Sequence, residues 1–256
     1  MTANLKDHFR SVVVATGAVA QIAGGAIPFA AGWGHNVASR SNETVSLLTP
    51  AGYAFSIWSV IFAGCLVFAV YHALRPAHAP LRRIGWLAAA VFWLNAAWEL
   101  YVPVQGFDLG SLLIIQVIWG LLLVIVLTAT AQIEAGLWDR VFRAPLFLLA
   151  GWLNAAAFVN LLVTANLLEI AWLGAGTVAP ALAVLAAALV AALVVVALTR
   201  SPSYLAAVSW GAYGIHVANA AGGDPVIAQA ALIAAGAGVP VLLIAWAQWA
   251  RKSRSA

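Results

Sequence analysis

Eight apolar stretches of about 20 residues limit the folds that this chain can adopt. They cover approximately residues 11–32, 53–74, 84–104, 109–131, 144–166, 178–199, 203–220 and 225–249. An α-helix needs about 20 residues to cross the hydrocarbon core of a bilayer. The chain is 64% hydrophobic and 8% charged, whereas a soluble protein carries roughly 25% charged residues. We predict an all-α membrane protein, a polytopic bundle of about eight transmembrane helices, called spans 1 to 8 below.

The number of spans has one alternative. Span 7 is the shortest, and span 8 contains Gly236, Gly238 and Pro240. Non-helical backbone is tolerated at membrane depth where it is buried in protein or lines a cavity. Seven spans and a re-entrant segment would therefore also explain the pattern.

The basic residues favour an even number of spans. With eight spans, all but one of the 12 lysine and arginine residues lie on one side. These are Lys6, Arg10, Arg75, Arg82, Arg83, Arg140, Arg143, Arg200, Arg251, Lys252 and Arg254, and Arg40 is the exception. Short cytoplasmic loops are enriched in such residues. We therefore expect a protein of the bacterial inner membrane with both termini in the cytoplasm, and we do not interpret the net charge of +4 as a nucleic-acid surface.

Several function classes lack a signature in the sequence. The single cysteine, Cys65, lies inside span 2, where we expect it to pack. The five histidines are scattered without metal-ligand spacing, and no phosphate loop or nucleophile motif occurs. No cleavage site follows residues 1–10, so we expect no removable signal peptide. We predict a single integral membrane domain over residues 1–256, with no enzyme activity, no metal and no required cofactor.

Polar residues beside tryptophans in mid-span indicate where a ligand could bind. In span 3, Asn95 and Glu99 share a helical face, and Trp98 lies on its flank. An intramembrane amide must find partners on another helix or on a ligand. Glu99 could instead reach the membrane interface from near the end of the helix.

Span 5 carries a second row, in which Trp152, Ala156 and Asn160 recur at every fourth residue. This face fits a ligand, but close helix packing at Ala156 with Asn160 bonded between helices explains it equally well. In span 7, His216 could ligate haem iron or form a hydrogen bond to a neighbouring residue.

The entry to span 2 places three rings close together, at Tyr53, Phe55 and Trp58. An interfacial aromatic belt would also explain these rings. The run that begins at Pro50 is similar to the proline-proline-glycine-tryptophan-x-phenylalanine stretch of the TspO/MBR family, the tryptophan-rich sensory or translocator proteins. The match is partial, since Ala51 and Tyr53 stand where that family has its second proline and its tryptophan.

The resemblance to the TspO/MBR family extends to two further motifs. Residues 94–98 resemble its leucine-asparagine-x-x-tryptophan motif, and the row in span 5 matches its fifth helix. The three motifs cover about residues 10–170, a TspO-like five-helix unit, and leave residues 171–256 as three additional C-terminal helices. Within these, residues 210–215 look like those of longer tryptophan-rich sensory proteins.

The resemblance implies a pocket in the membrane that is covered by the loop between spans 1 and 2. In that family the pocket binds tetrapyrroles such as protoporphyrin IX or haem, and in some members sterols. A flat aromatic ligand also agrees with rings that stack and amides that meet polar edges. The predicted binding residues are Tyr53, Phe55, Trp58, Asn95, Trp98, Trp152, Ala156 and Asn160.

The sequence therefore predicts a membrane sensor, receptor or carrier for a porphyrin-like or other hydrophobic aromatic ligand. The alternative is a proton-coupled secondary transporter of a small hydrophobic substrate, in which Glu99, His216 and Asp224 would couple protons. Two further alternatives are enzymatic turnover of a bound porphyrin, as the resemblance implies for some relatives, and a purely structural membrane protein, which would also fit the composition. Gly17 and Gly24 in span 1 would support either a homodimer or close packing within one chain.

Overall fold

The computed structural model describes residues 3–44, 46–132, 136–170 and 177–254, and within these ranges it contains helices and no strand. This confirms the predicted all-α class. The helices are α1 (Leu5–Ala30), α2 (Val37–Asn42), α3 (Ile57–Leu74), α4 (Ala79–Gln105), α5 (Leu109–Thr130), α6 (Leu137–Leu167), α7 (Val178–Thr199), α8 (Pro202–Ala220) and α9 (Pro225–Arg254). A 3₁₀ turn, Gly52–Ser56, leads into α3.

Seven helices in the described part of the chain are long and apolar enough to cross a membrane. The remaining long helix, α8, corresponds to the predicted span 7 and has 19 residues. Its polar side chains make α8 less apolar, so the predicted number of eight spans is approximate. Helix α9 continues through Pro240, and span 8 is therefore not broken there as the alternative required.

Three helices begin earlier than their apolar stretches, because their charged first turns are paired. Helix α1 starts at Leu5, where Asn4 caps it and Asp7 completes the capping box. Asp7 also forms ion pairs with Arg10 and with Arg82 of α4. In α6, Asp139 accepts a hydrogen bond from His78 at 2.7 Å. These partners let charged residues remain within the helices.

The chain divides into two compact units. The first unit comprises Met1–Glu43 and Phe55–Ala150, and the second comprises Thr44–Ala54 and Gly151–Ala256. Helix α6 contributes to both units. The predicted division at residue 170 stays a prediction, since it was drawn from sequence resemblance.

In the first unit, α1 and α4 approach each other closely at glycines. A Cβ atom on Gly24 would lie 2.8 Å from the carbonyl oxygen of Ala96, and one on Gly17 would lie 3.0 Å from Cδ1 of Trp93. The first distance is too short for a real side chain, so position 24 requires glycine, whereas a side chain at position 17 would force the ring of Trp93 to move slightly. Of the two roles predicted for these glycines, the structure shows packing within one chain.

In the second unit, the connection at residues 44–54 is fastened to α8. The indole Nε1 of Trp210 donates to the carbonyl of Ala54 at 2.8 Å. The amide of Ala51 donates to the carbonyl of Gly214 at 3.0 Å. The ring of Tyr53 meets that of Trp210 edge-on, with centroids 5.4 Å apart. The predicted covering loop therefore ends in a segment that α8 holds in place.

A further hydrogen bond fastens this connection near the C-terminal end of α8. The side-chain amide of Asn219 donates to the carbonyl of Leu47 at 2.8 Å. A Cβ atom on Gly214 would lie 2.8 Å from Cβ of Ala54. The loop thus lies so close to α8 that only glycine allows the contact.

We predict that Trp210→Phe loosens the 44–54 connection, because it keeps the ring and removes its N–H donor. The loss of one hydrogen bond costs about 1 kcal/mol, which corresponds to roughly fivefold faster hydrogen exchange at the amide of Ala51. Trp246→Phe is the matched control, since the indole of Trp246 donates to the carbonyl of Arg200 at 3.0 Å. Equal exchange at Ala51 in both variants and the wild type would contradict the prediction.

Candidate functional site

A group of buried polar side chains lies where α1 packs on α4 in the first unit. We call Gln21, Asn95 and Glu99 the α1–α4 polar cluster. Gln21 and Asn95 are fully buried, and the amide Nδ2 of Asn95 donates to Oε1 of Gln21 at 3.3 Å. Within the described residues, Oδ1 of Asn95 has no hydrogen-bond partner. The predicted partner on another helix therefore satisfies only half of this amide.

Glu99 lies one helical turn beyond Asn95 and is 5% exposed. Its carboxyl group lies against α1, since a Cβ atom on Gly25 would be 3.7 Å from Oε2 and one on Gly24 would be 3.2 Å from Cβ of Glu99. The other oxygen, Oε1, has no partner among the residues that the structure describes. Glu99 therefore points into the protein and does not reach outward from the helix.

Aromatic rings accompany the cluster in the same unit. Trp98 is 3% exposed, and its indole N–H finds no hydrogen-bond acceptor in the described part of the chain. Trp58 is also buried and stacks on Phe62 with ring centroids 5.1 Å apart. Phe55 is half-buried. The first unit thus contains four of the eight predicted binding residues.

The other four predicted residues belong to the second unit. Trp152 and Asn160 are buried, Ala156 is half-buried, and Tyr53 is exposed. Asn160 donates from Nδ2 to the carbonyl of Ala156 on its own helix at 2.8 Å, while its Oδ1 lacks a partner in the described ranges. This hydrogen bond of Asn160 lies within α6, whereas the packing alternative required a bond between helices.

The unpaired atoms define what this arrangement can do chemically. A buried polar atom without a hydrogen bond costs about 1–3 kcal/mol. Native proteins keep few of these, and such atoms often mark a site that a ligand or water completes. Acceptors on Asn95 and Glu99 and a donor on Trp98 would suit a ligand with both donors and acceptors.

Other buried charged residues have hydrogen-bond partners, which the sequence did not predict. In the first unit Arg10 donates to Asp7 at 3.1 Å and to the carbonyl of Pro76 at 2.6 Å. Ser11 lies 3.0 Å from Nδ1 of His72. The spacing of Asp7, Arg10 and Ser11 at positions i, i+3 and i+4, which share one face of α1, was the available signal. These side chains bond to one another and to the backbone, so they stabilise the fold and are not available to a ligand.

In the described ranges, no group of three or more histidine, cysteine, aspartate or glutamate side chains could hold a metal ion. His216 donates from Nδ1 to the carbonyl of Ala228 at 2.9 Å. Of the two roles predicted for His216, the structure shows the hydrogen bond to a neighbour.

Comparison with protein families identifies the chain over most of its length. The model of the family described as TSPO-like protein matches residues 11–246. The matched range includes α7, α8 and most of α9, which the resemblance in sequence motifs left outside the five-helix unit. Neither the curated proteins nor the solved structures give a match. The chain belongs to the TSPO-like protein family and is an integral membrane protein of the sensor and carrier class.

Proposed function

We propose that the protein binds a tetrapyrrole such as protoporphyrin IX or haem, or another hydrophobic aromatic ligand, among its membrane helices and acts as a sensor or carrier. The observation that carries the proposal is the α1–α4 polar cluster. Its buried, unpaired polar atoms lie in the same unit as buried tryptophans.

The chemistry of a tetrapyrrole complements this cluster. Its two propionic acid groups can donate when protonated and accept when ionised, so they can meet Oδ1 of Asn95 and Nε1 of Trp98. Its flat apolar faces can stack on indole rings, and stacking contributes about 0.5–1.5 kcal/mol beyond the burial of area. Binding would thus supply the hydrogen bonds that the isolated chain lacks.

The part that the second unit plays in binding stays a prediction. Tyr53, Trp152, Ala156 and Asn160 were assigned from the motifs. The unpaired Oδ1 of Asn160 supports a polar contact there. Replacement of half-buried Ala156 by leucine would fill the space that a ligand needs on this face of α6.

We predict that protoporphyrin IX quenches the tryptophan fluorescence of the purified protein in a saturable way. Asn95→Leu and Trp98→Phe should each weaken binding about tenfold, because each removes one buried hydrogen bond worth about 1.4 kcal/mol. Ala156→Leu should abolish binding. The ligand should be recovered with an unchanged absorption spectrum, since the proposal contains no chemical step.

Two matched variants control this titration. Trp86→Phe changes a half-exposed tryptophan on the same helix as Trp98, and Ala187→Leu enlarges an exposed alanine of α7. Both should bind like the wild type. Quenching that does not saturate, or that is identical in all variants, would mean partition into detergent and would overturn the proposal.

We also infer that the protein lies in a bacterial inner membrane with both termini in the cytoplasm. The one-sided distribution of basic residues supports this orientation. Green fluorescent protein fused after Ala256 should fluoresce, and alkaline phosphatase fused after Gly222 should be active in the periplasm. An active phosphatase at the C-terminus would instead indicate an odd number of spans.

A second candidate function is proton-coupled transport of a small hydrophobic substrate. The buried carboxyl group of Glu99 with an unpaired oxygen favours it, because intramembrane carboxyl groups often carry protons in transporters. The support is weaker than the sequence indicated, since α9 is continuous and His216 is engaged by a carbonyl.

Uptake of protoporphyrin IX into proteoliposomes separates the two candidates. Under the main proposal, an imposed pH gradient leaves uptake by the wild type unchanged. Uptake that rises with an inward proton gradient and is lost in Glu99→Gln would establish the transporter. Glu43→Gln is the control, since Glu43 forms an exposed pair with Arg40.

A further inference from the structure

The second unit contains a partly open apolar cavity that none of the eight predicted binding residues lines. The cavity lies between α6, α7, α8 and α9, with Leu48 from the 44–54 connection at its wall. The empty space is about 410 Å³ when the part that is open to the outside is included, and most of it is in thin gaps. Its described lining residues are Leu48, Asn154, Ala155, Phe158, Val159, Leu185, Ala188, Leu189, Val208, Ala212, Ile215 and Ala234.

Asn154 is the one polar side chain among the described residues that line this cavity. It is 1% exposed, and its Nδ2 donates to the carbonyl of Ala188 on α7 at 3.0 Å. This bond fixes the orientation of the amide, because the opposite orientation would place two acceptors against each other. The other amide atom, Oδ1, is buried without a hydrogen-bond partner in the described part of the chain.

We propose that this cavity is a second ligand site, for a slender apolar molecule that carries one hydroxyl or N–H group. This group donates a hydrogen bond to Oδ1 of Asn154. The apolar walls bind the body of the ligand, as apolar protein cavities bind benzene. A single ring or an unbranched chain fits thin gaps of this kind, and a tetrapyrrole does not.

The donor decides which ligands bind. A buried acceptor that a ligand leaves unpaired costs binding energy, so a site of this kind rejects analogues without the donor. The ligand could be a single-chain alcohol from the bilayer or a small phenol or benzyl alcohol from solution. Both offer the same hydroxyl group at the end of an apolar body.

Photolabelling with a matched pair of probes tests this site in the full-length protein. One probe is 4-(trifluoromethyldiazirinyl)benzyl alcohol, and the other is the corresponding toluene, which lacks the hydroxyl group. Labelled peptides are mapped by mass spectrometry. The alcohol should label the segments of α6 and α8 that contain Phe158 and Ala212 at least fivefold more than the toluene does.

Three variants show whether the labelling occurs in this cavity and depends on Asn154. Asn154→Leu should reduce labelling by the alcohol at least fivefold and leave labelling by the toluene unchanged, which also shows that the cavity still forms. Ala212→Leu should fill the cavity and reduce labelling by both probes. Asn166→Leu, the same change on the same helix at a residue that does not line the cavity, should label like the wild type.

Competition identifies the source of the ligand. Displacement of the probe by dodecanol and not by benzyl alcohol would indicate a membrane-borne chain, and the reverse would indicate a small ring from solution. Equal labelling of the wild type by both probes would overturn the proposal. So would alcohol labelling that neither Asn154→Leu nor Ala212→Leu reduces, since the probes would then only be partitioning into lipid or detergent.

Discussion

Hydrocarbon offers no hydrogen bonds, so every polar group in a membrane helix must be satisfied inside the protein or by a ligand. The structure meets this requirement at most of its buried charges. Asp7 of α1, for example, is held by its own helix cap and by two arginines. Among the described residues, the exceptions include side-chain atoms of Gln21, Asn95, Trp98, Glu99, Asn154 and Asn160. The functional account follows from these exceptions.

Close helix packing makes the exceptions costly. Gly24 allows the backbone of α1 to approach α4 beside Glu99. In the second unit, Gly214 similarly allows the 44–54 connection to lie against α8. An unpaired acceptor in such a closely packed environment favours any ligand that brings a donor. Small residues thus determine where polar groups become available for recognition.

Much of the fold could be predicted from the sequence, because apolar runs of membrane length leave little alternative to helices. The early starts of α1, α4 and α6 could not, since they depend on partners distant in sequence, such as Arg82 for Asp7. The shared face of Asn95 and Glu99 followed from helical periodicity. The role of Gln21 could not be predicted, because a single amide in a helix of small residues produces no periodic pattern. Its bond to Asn95 becomes evident only when α4 packs beside α1.

The second unit shows the same limit of sequence reasoning. The row of Trp152, Ala156 and Asn160 directed attention to one face of α6, whereas Asn154 lies on another face and lines the cavity. Trp210 was recognised as part of a motif, but its bond to Ala54 requires the folded loop. Pairings of this kind arise from tertiary packing, which a single sequence does not specify.

The most direct test of the account is an experimental structure of the protein in lipid with protoporphyrin IX bound. The account predicts ligand density in contact with Asn95 and Trp98, with a carboxyl group of the ligand within hydrogen-bond distance of Oδ1 of Asn95. Density at the lipid-facing surface, with the α1–α4 polar cluster unchanged and unoccupied, would contradict it.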